Sequence, residues 1–144
     1  MRQEEWHRGE LTISTDRQRL DLKLIHNFLT CSYWASGREF IVVKKSIDNS
    51  LPFGVYWRNQ QIGFARVVTD YATLAYLCDV FIVESFRGQG LGKWLVETVI
   101  SHPELQGLAK WSLATADAHA LYRQIGFAEL RYPERQMEKL GENS

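Results

Sequence analysis

The chain of 144 residues has only two cysteines, three prolines and no excess of either charge, with 17 basic residues against 17 acidic ones. Each shortage excludes something. Cys31 and Cys78 can supply neither a disulfide framework nor a zinc ligand set, so a reducing compartment, the cytoplasm, is expected and a metal is not. Balanced charge argues against nucleic-acid binding by broad phosphate neutralisation, which leaves a basic excess on a domain. The longest mostly apolar run, Leu74 to Val83, is about half of the 20 or so residues a membrane-spanning helix needs, and it contains Asp79. Residues 1–8 mix both signs of charge and lead into no apolar segment, unlike a secretory signal. With no repeat or low-complexity stretch, the expectation is one soluble globular domain over residues 1–144, large enough to bury its own core. A homodimer is compatible with it.

What is present alternates between helical and strand periodicity. Leu11 to Thr15 alternates as a short strand, and Asp16 stands where a helix N-cap would be. Leu20, Leu24, Ile25 and Phe28 then share one face of a helix expected over residues 17–29. Cys31 to Gly37 breaks the pattern, a shorter helix is expected over 38–47, and Asp48-Asn49-Ser50 reads as a turn. Phe53 to Trp57 and Gln61 to Val68 form an expected hairpin across Arg58-Asn59-Gln60. Leu74 to Val83 is apolar on both faces, as in a central strand covered on both sides. A helix from Gly90 to Ser101 ends at His102-Pro103. A strand over 108–114, a short helix over 116–124, a strand beginning at Gly126-Phe127-Ala128 and a last one over 136–140 complete a mixed α/β fold.

The segment richest in chemistry is Arg87-Gly88-Gln89-Gly90-Leu91-Gly92-Lys93, between the central strand and the helix that follows. Glycines let a backbone approach a ligand closely, and the first turn of a helix offers unpaired N–H groups at the positive end of its dipole. With Arg87 and Lys93 at its ends, the loop suits a diphosphate. The alternative is a tight turn with solvated basic residues. A dinucleotide fingerprint would need glycine at position 93, where Lys93 stands. A Walker A loop would need glycine at Arg87 and a hydroxyl at Trp94. Neither is present.

The remaining pattern, Arg-x-x-Gly-x-Gly, resembles the GNAT (GCN5-related) N-acetyltransferases. The likeness rests on Asp79-Val80-Phe81-Ile82-Val83 with Arg87 to Gly92, and on Ala118-His119-Ala120-Leu121-Tyr122-Arg123-Gln124-Ile125-Gly126-Phe127, which together span about a third of the chain. It implies a mostly antiparallel mixed sheet flanked by helices. It further implies acetyl-CoA as co-substrate, with its pyrophosphate on Arg87, Gly88, Gln89, Gly90, Leu91, Gly92 and Lys93. The N–H groups of Phe81, Ile82 and Val83 would lie along the pantetheine arm where the strand splays, and Tyr122 beside the thioester sulfur. Many members carry asparagine seven residues before that tyrosine. Thr115 stands there in this chain, which offers a hydroxyl but no amide.

Amine acetylation needs a neutral amine, a polarised thioester carbonyl and a group that protonates the departing thiolate. Tyr122 is the expected acid. Asp79 is the first expectation for the base, because a carboxylate buried without a partner has its pKa raised. Glu84, His119 and a water chain are the alternatives, and Asp79 could instead be paired with Arg66. Between the first two helices, Tyr33, Trp34 and Arg38 are expected to line the acceptor pocket, where Arg38 could meet an acceptor carboxylate. The expected function is transfer of an acetyl group to a primary amine of a small molecule or amino acid. A non-catalytic CoA-binding sensor or scaffold of the same fold is the rival reading.

Overall fold

The computed structural model describes residues 2–142. Six strands form one sheet in sequence order, β1 (Glu5–Arg8), β2 (Leu11–Ser14), β3 (Leu51–Trp57), β4 (Gln60–Thr69), β5 (Leu74–Ile82) and β6 (Lys110–Ser112). All neighbours are antiparallel except β5 and β6, which run parallel. The mixed α/β class with a mostly antiparallel sheet is therefore as expected. β1 was not foreseen, because its sequence EWHR carries no alternating apolar signal; it is an edge strand, mostly exposed. Gly9, at φ +60°, turns the chain back into β2.

The first helical region is divided. Asp16 caps only a 3-10 turn at Arg17–Arg19, accepting from the Gln18 amide at 3.0 Å. Asp21 then caps α1 (Leu22–Thr30), accepting from the Leu24 amide at 3.0 Å. Two aspartates that each satisfy local N–H groups start two elements where the apolar spacing suggested one. α2 spans Phe40–Asp48, and α3 spans Leu91–Ile100.

The sheet is packed on both faces. Ile25 and Leu29 of α1, Val43 and Ile47 of α2, and Phe64 and Phe81 of the sheet are buried together on one side. On the other, Leu95 and Val99 of α3 pack on Ile13, Phe53, Val55, Ile62 and Leu77. Coverage of β5 is less complete than expected: Leu74 and Tyr76 are exposed, and only its C-terminal half is enclosed.

β5 and β6 pair only through Leu74, Ala75 and Tyr76 with Lys110, Trp111 and Ser112. Beyond that point the two diverge, so β5 from Leu77 to Ile82 has no ladder partner on its β6 side. The opening this creates positions the site. β6 is correspondingly shorter than the expected strand over 108–114, and residues 113–118 form a loop before α4 (His119–Gln124). The strands expected at Gly126–Ala128 and over 136–140 are not formed. Gly126 adopts φ +105°, a conformation outside any strand. Met137 is 96% exposed and Leu140 68%, so this charged run buries neither of its large apolar side chains, and it pairs with no strand among the described residues.

Candidate active site

Two regions meet at the open edge of β5. The first is the loop that leads into α3. Gly88 and Gly90 have φ of +81° and +76°, which the turn requires. Gly92 is different. It lies within the helix, without positive φ, and a Cβ built there meets nothing within 4 Å. Nothing inside the chain demands glycine at that position, where it weakens the helix; the space it leaves faces outward. The first intrahelical backbone bond is donated by Trp94 to Gly90, so the amides of the preceding turn remain available at the positive end of a ten-residue helix. Arg87 is fixed to the strand by its Nε, which donates to the Ile82 carbonyl at 3.0 Å. Lys93 has no ion-pair partner among the described residues and is half-buried beside the loop. These residues fit a diphosphate group.

The second region is a cleft of about 650 Å³ between β5 and the 113–118 loop. Tyr33, Trp34, Arg38, Asp79 and Tyr122 all border it, so five residues from three separated stretches of sequence are brought together. Tyr122 projects from α4, is 9% exposed, and packs edge-on against Phe127 with centroids 5.8 Å apart. Burial, with the nearby Tyr33 and Asp117, raises its pKa above the ordinary phenol value. It therefore holds its proton throughout the neutral range. Tyr122 also borders a second groove of about 520 Å³, lined too by Trp111, His119 and Phe127.

The hydroxyl of Thr115 is engaged within the chain. Its oxygen accepts from the Ala118 amide at 3.1 Å and the Asp117 amide at 3.4 Å. It thereby caps α4, whose own N-cap residue Ala118 has no side chain able to do so.

Asp79 is buried but not stranded. Trp34 Nε1 donates to one carboxylate oxygen at 3.0 Å, while Arg38 at 3.0 Å and Arg66 Nε at 2.6 Å donate to the other. The paired arrangement is the one present, so the carboxylate is not buried without a partner. Of the alternatives, Glu84 is exposed in a 3-10 turn after β5 and borders neither cavity. His119 is exposed and faces the second groove rather than the cleft. Phe81 stacks on Phe28 at 3.9 Å, and with Ile82 it lies on the unpaired stretch of β5; Val83 donates its amide to Ile62 at 2.8 Å. Asp117, on the rim of the cleft, and Arg66 complete the wall. Asp117 had no signal in the sequence beyond its nearness to Tyr122.

The sequence model of the Acetyltransferase (GNAT) family matches residues 17–127. The chain belongs to the GNAT acetyltransferase family. Among solved structures, this GNAT protein is similar to a GNAT-family protein of Xanthomonas campestris pv. campestris, with 45% identity, a TM-score of 0.89, and coverage of 91% of this chain and 93% of that one. It shares the fold of a GNAT family acetyltransferase from Elizabethkingia anophelis whose structure has acetyl-CoA bound, at 16% identity and a TM-score of 0.67, covering 94% and 91% of the two chains. Among curated proteins, FG08082 of Gibberella zeae is 27% identical over 88% of this chain and 84% of its own length. Among the described residues, no helix is long and apolar enough to cross a membrane.

Proposed function

We propose that this protein transfers the acetyl group of acetyl-CoA directly to a primary amine of a small molecule or amino acid. The observation that carries the reading is the divergence of β5 from β6. It opens one edge of β5 between the glycine loop at one end and the cleft holding Tyr122 at the other. Family membership and the acetyl-CoA bound in the Elizabethkingia relative support the choice of co-substrate.

Acetyl-CoA supplies the acyl group as an activated thioester. Loop amides from Gly88 to Lys93, with Arg87 and Lys93, hold the diphosphate, and the free edge of β5 at Phe81 and Ile82 aligns the pantetheine arm. The amine nitrogen attacks the carbonyl carbon as the C–S bond breaks. Tyr122 donates its proton to the leaving sulfur and recovers one from solvent, a role for which a phenol kept protonated by burial is suited. Because Asp79 already receives three donors, water in the open cleft takes the amine proton. Cys78 also borders the cleft, but burial raises its thiol pKa. That suppresses the thiolate a covalent route would need and favours direct transfer. Tyr33, Trp34 and Arg38 form the acceptor side, and Arg38 suits an acceptor that carries a carboxylate. Two free cysteines agree with a reducing, cytoplasmic setting.

Two measurements test this reading. Calorimetry should show CoA binding, and a panel of amines and amino acids with acetyl-CoA should release free thiol. CoA binding with no thiol release from any amine would make the protein a binding module instead.

A further inference from the structure

Asp79 lies where the pairing of β5 with β4 becomes irregular. Phe64 pairs with Phe81, and Arg66 with Cys78, so Ala65 alone faces both Asp79 and Val80. That is a β-bulge. Asp79 sits in it at φ +54°, a left-handed conformation that aspartate and asparagine adopt more readily than most residues. Its carboxylate is the meeting point of donors from two separate segments. Arg66 belongs to the neighbouring strand β4 and also donates to the Ser50 hydroxyl at 3.1 Å. Trp34 and Arg38 belong to the loop between α1 and α2.

The loop's other polar contacts run mainly back to itself and α1. Ser32 and Gly37 donate to Leu29 and Thr30, Ala35 and Arg38 are bonded within the loop, and the Arg38 carbonyl meets His26 at 2.9 Å. Toward the far wall of the cleft, the Tyr33 hydroxyl bonds the Ala116 amide. Toward the sheet, both hydrogen bonds converge on Asp79. Trp34 and Arg38 are two of the three side chains assigned above to the acceptor.

We infer that Asp79 is a positioning residue for the acceptor: it anchors the loop between α1 and α2 so that Trp34 and Arg38 present a preformed aromatic and cationic wall to the incoming amine. It takes no proton. The inference rests on the proposed transferase reading, and it predicts that the residue acts on acceptor binding and not on acetyl-CoA. A strained backbone position at a bulge is justified when the side chain it aims makes contacts that no regular strand position could make. Here it aims one carboxylate at the two loop donors that, among the described residues, reach the sheet.

The test is Asp79→Asn, which keeps the shape and tolerates left-handed φ but weakens both guanidinium contacts. Expected results are a rise of about tenfold or more in the KM of the acceptor, an unchanged KM for acetyl-CoA, and retention of any acidic limb in the pH dependence of turnover. Loss of that limb would instead make Asp79 the proton acceptor and overturn the inference, as would an unchanged acceptor KM. A second readout needs no activity. Tryptic cleavage after Arg38, followed by mass spectrometry on the intact protein, should accelerate several-fold in Asp79→Asn. It should accelerate to a lesser degree in Trp34→Phe, which deletes one donor and keeps the aromatic ring. Equal cleavage rates in all three proteins overturn the anchoring. Should no amine be acetylated by the unaltered protein, the transferase reading fails while the cleavage rates still decide whether Asp79 holds the loop.

Discussion

The hydroxyl of Tyr33 accepts a hydrogen bond from the backbone amide of Ala116 at 3.0 Å, across the mouth of the cleft that Tyr122 borders. Tyr33 is 60% exposed, so this contact is not a consequence of core packing. It ties the α1–α2 loop to the loop that precedes α4, and on the proposed reading it would set the width of the acceptor entrance. Tyr33→Phe removes that tie and keeps the ring, which packs edge-on against Trp34 at 5.2 Å. A neutral hydrogen bond is worth about 0.5–1.5 kcal/mol. Acceptor KM should therefore rise roughly 2- to 12-fold with little change for acetyl-CoA. Steady-state kinetics with each substrate varied would show this, and equal changes in both KM values would count against an entrance role.

Tyr122→Phe deletes only a hydroxyl from a side chain that keeps its contact with Phe127. CoA affinity measured by calorimetry should stay nearly constant. Turnover should fall by about 10² to 10⁴, the usual contribution of a general acid. A better leaving group would narrow that gap, since a thiolate that departs unaided does not need the proton. Undiminished turnover in Tyr122→Phe would remove the residue from the chemistry.

Much of the fold was legible because it is written in periodicity. The β3–β4 hairpin, β5, α2 and α3 all lie within a few residues of where the spacing of apolar side chains puts them. What failed did so for local reasons. β1 has no apolar alternation, and the helix expected from residue 17 is divided by the competing cap at Asp21. The strand expected over 136–140 leaves Met137 and Leu140 exposed and joins no strand among the described residues. The site divides in the same way. The glycine loop is contiguous and could be found by composition, and Tyr122 by its motif. The environment of Asp79 depends on a bulge that places Trp34, Arg38 and Arg66 around one carboxylate, and contacts 13 to 45 positions apart leave no trace in local pattern.

Gly92 gives a prediction in which stability and binding move in opposite directions. A methyl group there meets nothing in the protein, and alanine within a helix is favoured over glycine by roughly 0.5–1 kcal/mol. Gly92→Ala should therefore raise the thermal midpoint of the ligand-free protein by a few degrees. The same methyl intrudes where a diphosphate would approach the helix amides, so CoA should bind more weakly. Equal CoA affinity in the variant would show that the outward space at Gly92 is not used by the ligand. A lowered midpoint would show that the helix requires glycine for a reason of its own.

His102 sets a pH dependence of stability that is independent of catalysis. Its ring is fully buried between Trp6 and Phe53. Nδ1 accepts from the Glu104 amide at 3.0 Å, which places the proton of the neutral ring on Nε2, and that atom has no partner among the described residues. Burial lowers the pKa below its ordinary value of 6.5, while Glu4 and Glu104 oppose the shift more weakly. A histidine whose folded pKa is depressed binds its proton more readily in the unfolded chain. Stability is therefore complete above pH 6.5 and is lost as pH falls below that value toward the folded pKa. Thermal midpoints should be level from about pH 7.5 upward and decline below the ordinary histidine pKa, before carboxylates titrate. His102→Gln keeps a polar side chain but cannot take up a proton in this range. It should lower the midpoint at neutral pH, because the ring packing and the Glu104 contact are disturbed, while flattening the slope between pH 5 and 7. If the slope in His102→Gln matches that of the unaltered protein, the acid sensitivity belongs to another histidine.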